Sequence, residues 1–373
     1  MKTIPFNKPY LTGNEFENIT NAHEQGQLAG DGSFTKLCHA WLEENTGCRK
    51  ALLTHSCTAA LEMSAMLLDI RPGDEVIVPS YTFVSSANAF VSRGAVPVFV
   101  DIRKDTLNLD EELVSKAITS KTKAIVPVHY AGVGCTMKPL LEIAKEKGLY
   151  IVEDAAQGIC ASYNGEELGS MGDIGCLSFH ETKNIHCGEG GAILLNNEIF
   201  IERAEIIREK GTNRSNFFRG EVSKYQWIDI GSSYLPGELT SAFLYAQLQD
   251  AKKITKRRLC IWNKYHESFI DLEKEGKIRR PITPDGCKHN GHIYYLILGS
   301  SYNREEVLRK LNSKGISAVF HYKPLHNSPA GLRYGRFSGS LTNTDDLCDR
   351  IIRLPLWIGF DHHDYVLSAL SEI

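Results

Sequence analysis

The sequence has no excess of charge of either sign, no long apolar run and no closely spaced cysteines, and each absence removes a class of function. Lys and Arg total 42 against 45 Asp and Glu, a formal net charge of −3. With no basic surplus to neutralise a phosphate backbone, no nucleic-acid partner is expected. No apolar stretch approaches the roughly 18 residues that span a bilayer, so no membrane partner is expected either. The first residues, Met1-Lys2-Thr3-Ile4-Pro5-Phe6, carry one charge and no apolar segment. That argues against a cleaved signal peptide and predicts a cytoplasmic location. The ten cysteines, at 38, 48, 57, 135, 160, 176, 187, 260, 287 and 348, never fall within four residues of one another. Zinc sites and thioredoxin-like redox motifs need such close pairs, and disulfide frameworks belong to short exported chains. The cysteines therefore read as small buried hydrophobes.

The common phosphate and nucleophile signatures are also missing. No G-x-G-x-x-G occurs: Gly30/Gly32 is followed by Thr35, Gly132/Gly134 by Met137, and Gly188/Gly190 by Ile193. There is no G-x-x-x-x-G-K-[ST] and no G-x-S-x-G, so dinucleotide dehydrogenase, P-loop NTPase and α/β-hydrolase readings lose their main support.

What is present is an ordinary globular composition, 42% hydrophobic and 23% charged over 373 residues. At roughly 150 residues per domain this length suggests two domains. Glu75 to Pro79, Val96 to Val100, Lys123 to Val128 and Leu149 to Val152 are short, β-branched-rich runs that read as buried strands. Helical spacing lies between them at Leu61 to Leu68, Ser85 to Val91, Leu113 to Ile118 and Leu140 to Ala144. Alternating strand and helix predicts an α/β fold with a mostly parallel sheet. After Asp173, Ile174 to Phe179 and Ala192 to Leu195 read as strands joined by a polar loop without a helix. Helices are expected at Ile201 to Lys210, Leu239 to Leu248 and Lys252 to Leu272. A smaller α+β unit follows, with strands at His292 to Leu298 and Ala318 to His321 and a helix at Arg304 to Leu311. Residues 1–250 are expected to form the large domain and 251–373 the small one.

Three local features fall at the ends of these elements, where open α/β sheets bind ligands. Asp154, in Glu153-Asp154-Ala155-Ala156-Gln157, suits a ligand crevice, or simply caps the next turn. Ser56-Cys57-Thr58-Ala59-Ala60 opens a helix, which makes either an anion site or a plain N-cap. Lys183, in Ser178-Phe179-His180-Glu181-Thr182-Lys183-Asn184 before Gly188-Glu189-Gly190-Gly191, is either a solvated loop lysine or one presented into a pocket. Desolvated there, it would form a Schiff base. Together, an anion site, a carboxylate and such a lysine are the requirements of pyridoxal phosphate.

At these residues the chain resembles the DegT/StrS-type sugar-nucleotide aminotransferases. The lysine motif, Pro79-Ser80-Tyr81-Thr82-Phe83, Pro127-Val128-His129-Tyr130-Ala131-Gly132 and the Glu153-to-Gln157 segment carry the likeness. It runs from Pro5-Phe6-Asn7 to Leu354-Pro355-Leu356. The resemblance implies a fold-type-I enzyme with a mostly parallel seven-stranded sheet, a smaller C-terminal domain, pyridoxal 5'-phosphate as cofactor, and two active sites at a homodimer interface. By the same resemblance Lys183 and Asp154 are catalytic: Lys183 forms the Schiff base and shuttles a proton, and Asp154 pairs with the pyridinium nitrogen. Gln157 lies near the ring's phenolic oxygen, Phe83 lies against the ring, and Cys57, Thr58, Ala59 and Ser178 bind the phosphate. Relatives that act as dehydratases have histidine in place of the lysine. Where many relatives have G-x-N-x-R, this chain reads Gly231-Ser232-Ser233-Tyr234-Leu235. Ser233 then stands where the family's asparagine reaches the partner's phosphate.

Leu53 to Ala60, Gly211-Thr212-Asn213-Arg214-Ser215 and Val319 to His326 most resemble enzymes that aminate C4 of dTDP-4-keto-6-deoxyglucose, with L-glutamate as the family's donor. The product expected from the short lysine-to-GEGG spacing is dTDP-4-amino-4,6-dideoxy-D-glucose. The alternatives are its galactose epimer, a 3-keto nucleotide as substrate, or a non-catalytic sugar-nucleotide-binding regulator. Arg219 or Arg214 is a candidate for the diphosphate, or a solvated loop charge. His326 is a candidate sugar contact or a structural histidine. Asp361-His362-His363-Asp364 has the composition of a metal site, but adjacent side chains point apart, and no metal is expected.

Overall fold

The computed structural model describes residues 3–372. Its main sheet runs, from one edge, Lys50–Thr54, Gly191–Leu195, Ile174–Ser178, Tyr150–Asp154, Thr122–Ile125, Glu75–Pro79, Val96–Val100 and Arg336–Phe337. All neighbours are parallel except Gly191–Leu195, which runs antiparallel to both of its own. Successive side chains bury on opposite faces. Val76 and Val78 enter one core with Leu61 and Phe90, while Ile77 enters another with Val114 and Leu140. Burial on both faces is the reason these strands are apolar throughout.

The expected seven strands are joined by an eighth, Arg336–Phe337, which returns from the C-terminal part of the chain. Arg336 holds it there with a two-pronged pair to Glu75, at 2.8 and 2.7 Å. Lys50–Thr54, for which the sequence gives no strand signal, forms the other edge.

Beyond the long Ala251–Ser268 helix, a second core gathers Tyr265, Phe269, Leu296, Leu311 and Ile352 around a three-stranded sheet. That sheet is Ile278–Arg279, Tyr294–Leu298 and Ile351–Leu354, all antiparallel. The strand expected at Ala318 to His321 does not form, and a single bridge joins Val319 to Arg353. The following side chains instead turn toward the main sheet, where His321 and Tyr322 pack on Tyr130 and Tyr81. We propose the junction of the two units at the start of the Ala251–Ser268 helix, with part of the C-terminal chain doubling back. Leu325 and Leu341 share the core of the large unit, and Asp101 accepts from the backbone N–H groups of Asn343 and Thr344 at 3.0 and 2.8 Å.

All ten cysteines are free thiols; five are buried, four intermediate, and Cys260 is exposed. The reading of all ten as core residues therefore holds for only part of the set. His363 turns inward to the Ile261 carbonyl at 3.0 Å, while His362 faces Asp361 at the surface.

Candidate active site

A cavity of about 770 Å³ opens at the C-terminal ends of the parallel strands, and Cys57, Thr58, Phe83, Asp154, Gln157, Ser178 and Lys183 all line it. Chain geometry explains how each arrives. Asp154 is the last residue of its strand, and successive residues of a strand face opposite ways. Glu153 therefore points into the interior, where it accepts from the amides of Gly169, Met171 and Gly172 and pairs with His129 at 2.8 Å. Asp154 points to the cavity. Its two oxygens accept from Ser86 Oγ at 2.6 Å and the Ala156 amide at 3.1 Å, which fixes the carboxylate's orientation.

The Cys57–Leu67 helix starts at the cavity with Ser56 as N-cap. Ser56 Oγ accepts from the Ala59 amide at 3.1 Å, so the helix-start amides of Cys57 and Thr58 remain for an anion. This corrects one expectation: Ala59 is buried, its N–H is occupied, and it does not line the cavity. Thr58 Oγ1 lies 2.8 Å from Ser85 Oγ. The strand beginning at Gly191 runs so close to this loop that a Cβ on Gly191 would meet Cys57 N at 2.4 Å. Glycine is required there by contact. Burial raises the pKa of the Cys57 thiol well above its ordinary value, and Asp154 and Cys176 add to the effect.

Lys183 stands in the loop between Ile174–Ser178 and Gly191–Leu195. Its own amide donates to His180 O at 2.8 Å. Asn184 anchors the loop from the other side, donating to Asn290 O at 2.9 Å and meeting His292 Nδ1 at 3.0 Å. Burial lowers the pKa of Lys183. Cys57 and Asp154 oppose that shift, and Arg353 adds to it. Gln157 is held at both ends, its Oε1 accepting from the Ala131 amide and its Nε2 donating to Tyr322 OH. Phe83, 56% exposed, stands on the wall with its ring centroid 6.2 Å from that of Tyr322.

Much of the remaining wall comes from the C-terminal unit, through residues given no site role from sequence: His292, Val319, Phe320, His321, Tyr322 and Arg353. His321 Nδ1 lies 2.6 Å from Tyr130 OH, and burial holds both His292 and His321 in the neutral form. Tyr322 was within reach of sequence reasoning, in the Val319-to-His326 segment. Arg353 was not, because an arginine in an apolar strand gives no signal of what faces it.

Besides Ala59, three expected site residues do not join this cavity. His326 Nδ1 meets Ser80 Oγ at 2.8 Å and its Nε2 faces Asp345 at 3.4 Å, so this ring ties two units of the chain together. Arg219 is taken by Glu205 and Glu221 at 2.7 and 2.8 Å. Ser233 is exposed on the surface, bridged by backbone to Glu209.

The sequence profile of the DegT/DnrJ/EryC1/StrS aminotransferase family matches residues 9–371. The chain belongs to this family. It is an aminotransferase of the fold-type-I class, and enzymes of this family use pyridoxal phosphate. An uncharacterized protein of Methanocaldococcus jannaschii is 37% identical over 336 residues, covering 88% of this chain and 86% of its own. The spore coat polysaccharide biosynthesis protein SpsC of Bacillus subtilis is 30% identical, over 99% and 97%. Among solved structures, DesV of S. venezuelae, in complex with a ketimine intermediate, has a TM-score of 0.90 at 29% identity, over 100% and 98%. Spr1654 of Streptococcus pneumoniae, whose PLP form has been solved, also has a TM-score of 0.90, at 26% identity over 99% and 98%.

The residues present fit the cofactor. A helix start with free amides and hydroxyls suits its phosphate, a fixed carboxylate suits its ring nitrogen, and a half-buried lysine with a lowered pKa suits its aldehyde.

Proposed function

We propose that this protein transfers an amino group from L-glutamate to the C4 keto group of dTDP-4-keto-6-deoxyglucose, giving a 4-amino-4,6-dideoxyhexose nucleotide. The observation that carries the reading is the convergence of Lys183, Asp154 and the Cys57–Leu67 helix start on one cavity. The sugar substrate is supported by the naming of the Bacillus relative for polysaccharide biosynthesis. It is supported further by the Leu53-to-Ala60 and Val319-to-His326 segments, parts of which line the cavity. When bound, pyridoxal phosphate supplies the electron sink for the reaction.

The chain's own residues divide the remaining work. Asp154, oriented by Ser86, holds a proton on the ring nitrogen. The amides of Cys57 and Thr58, with the hydroxyls of Thr58 and Ser178, bind the phosphate. Lys183 carries the cofactor and then moves a proton at the reacting carbon, its lowered pKa favouring the free amine. Phe83 and Tyr322 form apolar wall. We further propose a homodimer, acting in the cytoplasm, in which Ser233 of each subunit faces the partner's phosphate site.

Purified enzyme mixed with dTDP-4-keto-6-deoxyglucose and glutamate should release 2-oxoglutarate and an aminated sugar nucleotide. The H4 coupling constants of the product distinguish the gluco from the galacto epimer. Release of 2-oxoglutarate only with a 3-keto nucleotide would move the reaction to C3, and no release with either would overturn the proposed substrate.

A further inference from the structure

Two neutral imidazoles line the cavity, and hydrogen bonding fixes the tautomer of each. Asn184 donates from Nδ2 to Asn290 O at 2.9 Å, and a carbonyl oxygen only accepts. Its Oδ1 therefore faces His292 Nδ1, 3.0 Å away, and that nitrogen carries the ring's hydrogen. His292 is left with a bare lone pair on Nε2. His321 is arranged the opposite way. Its Nδ1 lies 2.6 Å from Tyr130 OH. The hydroxyl of Tyr81, whose ring packs on Tyr130, is buried without a partner, so Nδ1 is the acceptor for the Tyr130 proton. His321 Nε2 then carries its ring's hydrogen. Neither Nε2 has a hydrogen-bond partner among the described residues, and both rings line the cavity. Burial keeps both uncharged, with Lys183 and Arg353 acting in the same direction. Tyr322 stacks on His321 with centroids 3.7 Å apart, which holds the plane of that ring.

One neutral acceptor beside one neutral donor selects what it binds. A carboxylate or a phosphate dianion offers acceptors only, and would leave the His292 lone pair facing negative charge. An α-hydroxy ketone complements both groups, with a carbonyl oxygen to accept and a neighbouring hydroxyl to donate. The 4-keto sugar carries this group at its reacting centre, with the carbonyl at C4 and the hydroxyl at C3. His292 is also bonded to Asn184, the residue that follows Lys183 in the chain. We propose that His321 donates to the keto oxygen and His292 accepts from the adjacent hydroxyl, so that the two rings read the α-hydroxy ketone of the sugar. This assignment rests on the proposed sugar substrate. The C4 oxygen leaves as water with the two hydrogens of the incoming amine, so His321 supplies a hydrogen bond and no net proton.

The 3-deoxy analogue of the keto-sugar nucleotide tests the pair on holoenzyme, with each half-reaction followed by cofactor absorbance. Wild type should prefer the 3-hydroxy nucleotide by about 10-fold in kcat/KM, as one hydrogen bond warrants. His292→Asn keeps a side-chain N–H for Asn184 and loses the Nε2 lone pair. It should take both nucleotides equally, at the lower rate. His321→Asn keeps an acceptor for Tyr130 and loses the Nε2 donor. It should slow both nucleotides about 10-fold and retain the preference for the hydroxyl. In either variant the glutamate half-reaction should change far less. Unchanged melting temperature and cofactor content establish that the variants fold, and the wild-type comparison needs neither of them. A wild type indifferent to the 3-hydroxyl would overturn the proposal. So would a preference retained in His292→Asn, or equal losses in the two half-reactions. A wild type inert with the keto-sugar nucleotide would instead overturn the proposed substrate, and the assignment with it.

Discussion

Lys183 and Asp154 show how a residue's neighbours turn ordinary side chains into reagents. Burial favours the neutral amine of Lys183, and Arg353 pushes the same way, against Cys57 and Asp154. Because the net shift is downward from 10.5, the free amine is available at lower pH than on an exposed lysine. Cofactor capture by the apoenzyme should therefore rise with pH and level off below the usual lysine range. Arg353→Gln should move that plateau up, and reconstitution followed by absorbance across pH measures both. Lys183→Ala should abolish the visible cofactor absorbance and turnover while leaving the melting temperature near wild type; turnover without added amines would remove the assignment. Asp154→Asn should still take up cofactor but lose at least about 100-fold in kcat, because an amide cannot keep the ring nitrogen protonated. Near-normal kcat in that variant would leave Asp154 as a cap. These two residues were legible in the sequence because each sits in a local motif. Ser86, which orients Asp154 from 68 positions away, was not.

Elements place these side chains by close approach rather than by reach. The Lys50–Thr54 strand leads straight into the Cys57–Leu67 helix, and Gly191–Leu195 pairs with it in full register, from Lys50 opposite Leu195 to Thr54 opposite Gly191. That register presses Gly191 against the Ser56 and Cys57 backbone. Gly191→Ala should consequently displace the helix start. Cofactor affinity should fall in equilibrium dialysis and the melting temperature should drop, with a cost of roughly 1–3 kcal/mol for overpacking. Wild-type affinity would show that the loop has room to give. The strands Glu75–Pro79 and Val96–Val100 and the helix Ser85–Val91 fall where the apolar pattern predicts them. Lys50–Thr54 escaped notice because Ala and Leu carry no β signal, and its partner lies about 140 residues on. The Ala318-to-His321 segment misled for the opposite reason. Its pattern suits a strand, but its aromatic neighbours find more burial against Tyr130 and Tyr81.

At the scale of the molecule, the cavity wall is shared between the parallel sheet and the C-terminal unit, and large aromatic side chains stay exposed on the surface. Phe218 and Trp227 are 70% and 79% exposed in the 214–230 segment, more than isolated surface aromatics need. The proposed homodimer would cover them. Sedimentation should give a dimer at assay concentration, and Ser233→Ala should weaken cofactor retention without changing the sedimentation coefficient. An active monomer would remove the dimer; unchanged retention would remove only the cross-subunit contact. The sequence by itself determined the α/β alternation, the helix start at Ser56, the place of Asp154 at the end of a strand and the lysine loop, because periodicity and local motifs act within a few residues. Only the tertiary structure decided that His326 and Arg219 are spent on partners within the chain, and that Arg353 and Tyr322 line the cavity. Those outcomes depend on which distant backbones come into contact. The burial that drives such contacts is non-directional, and a linear pattern does not encode its partners.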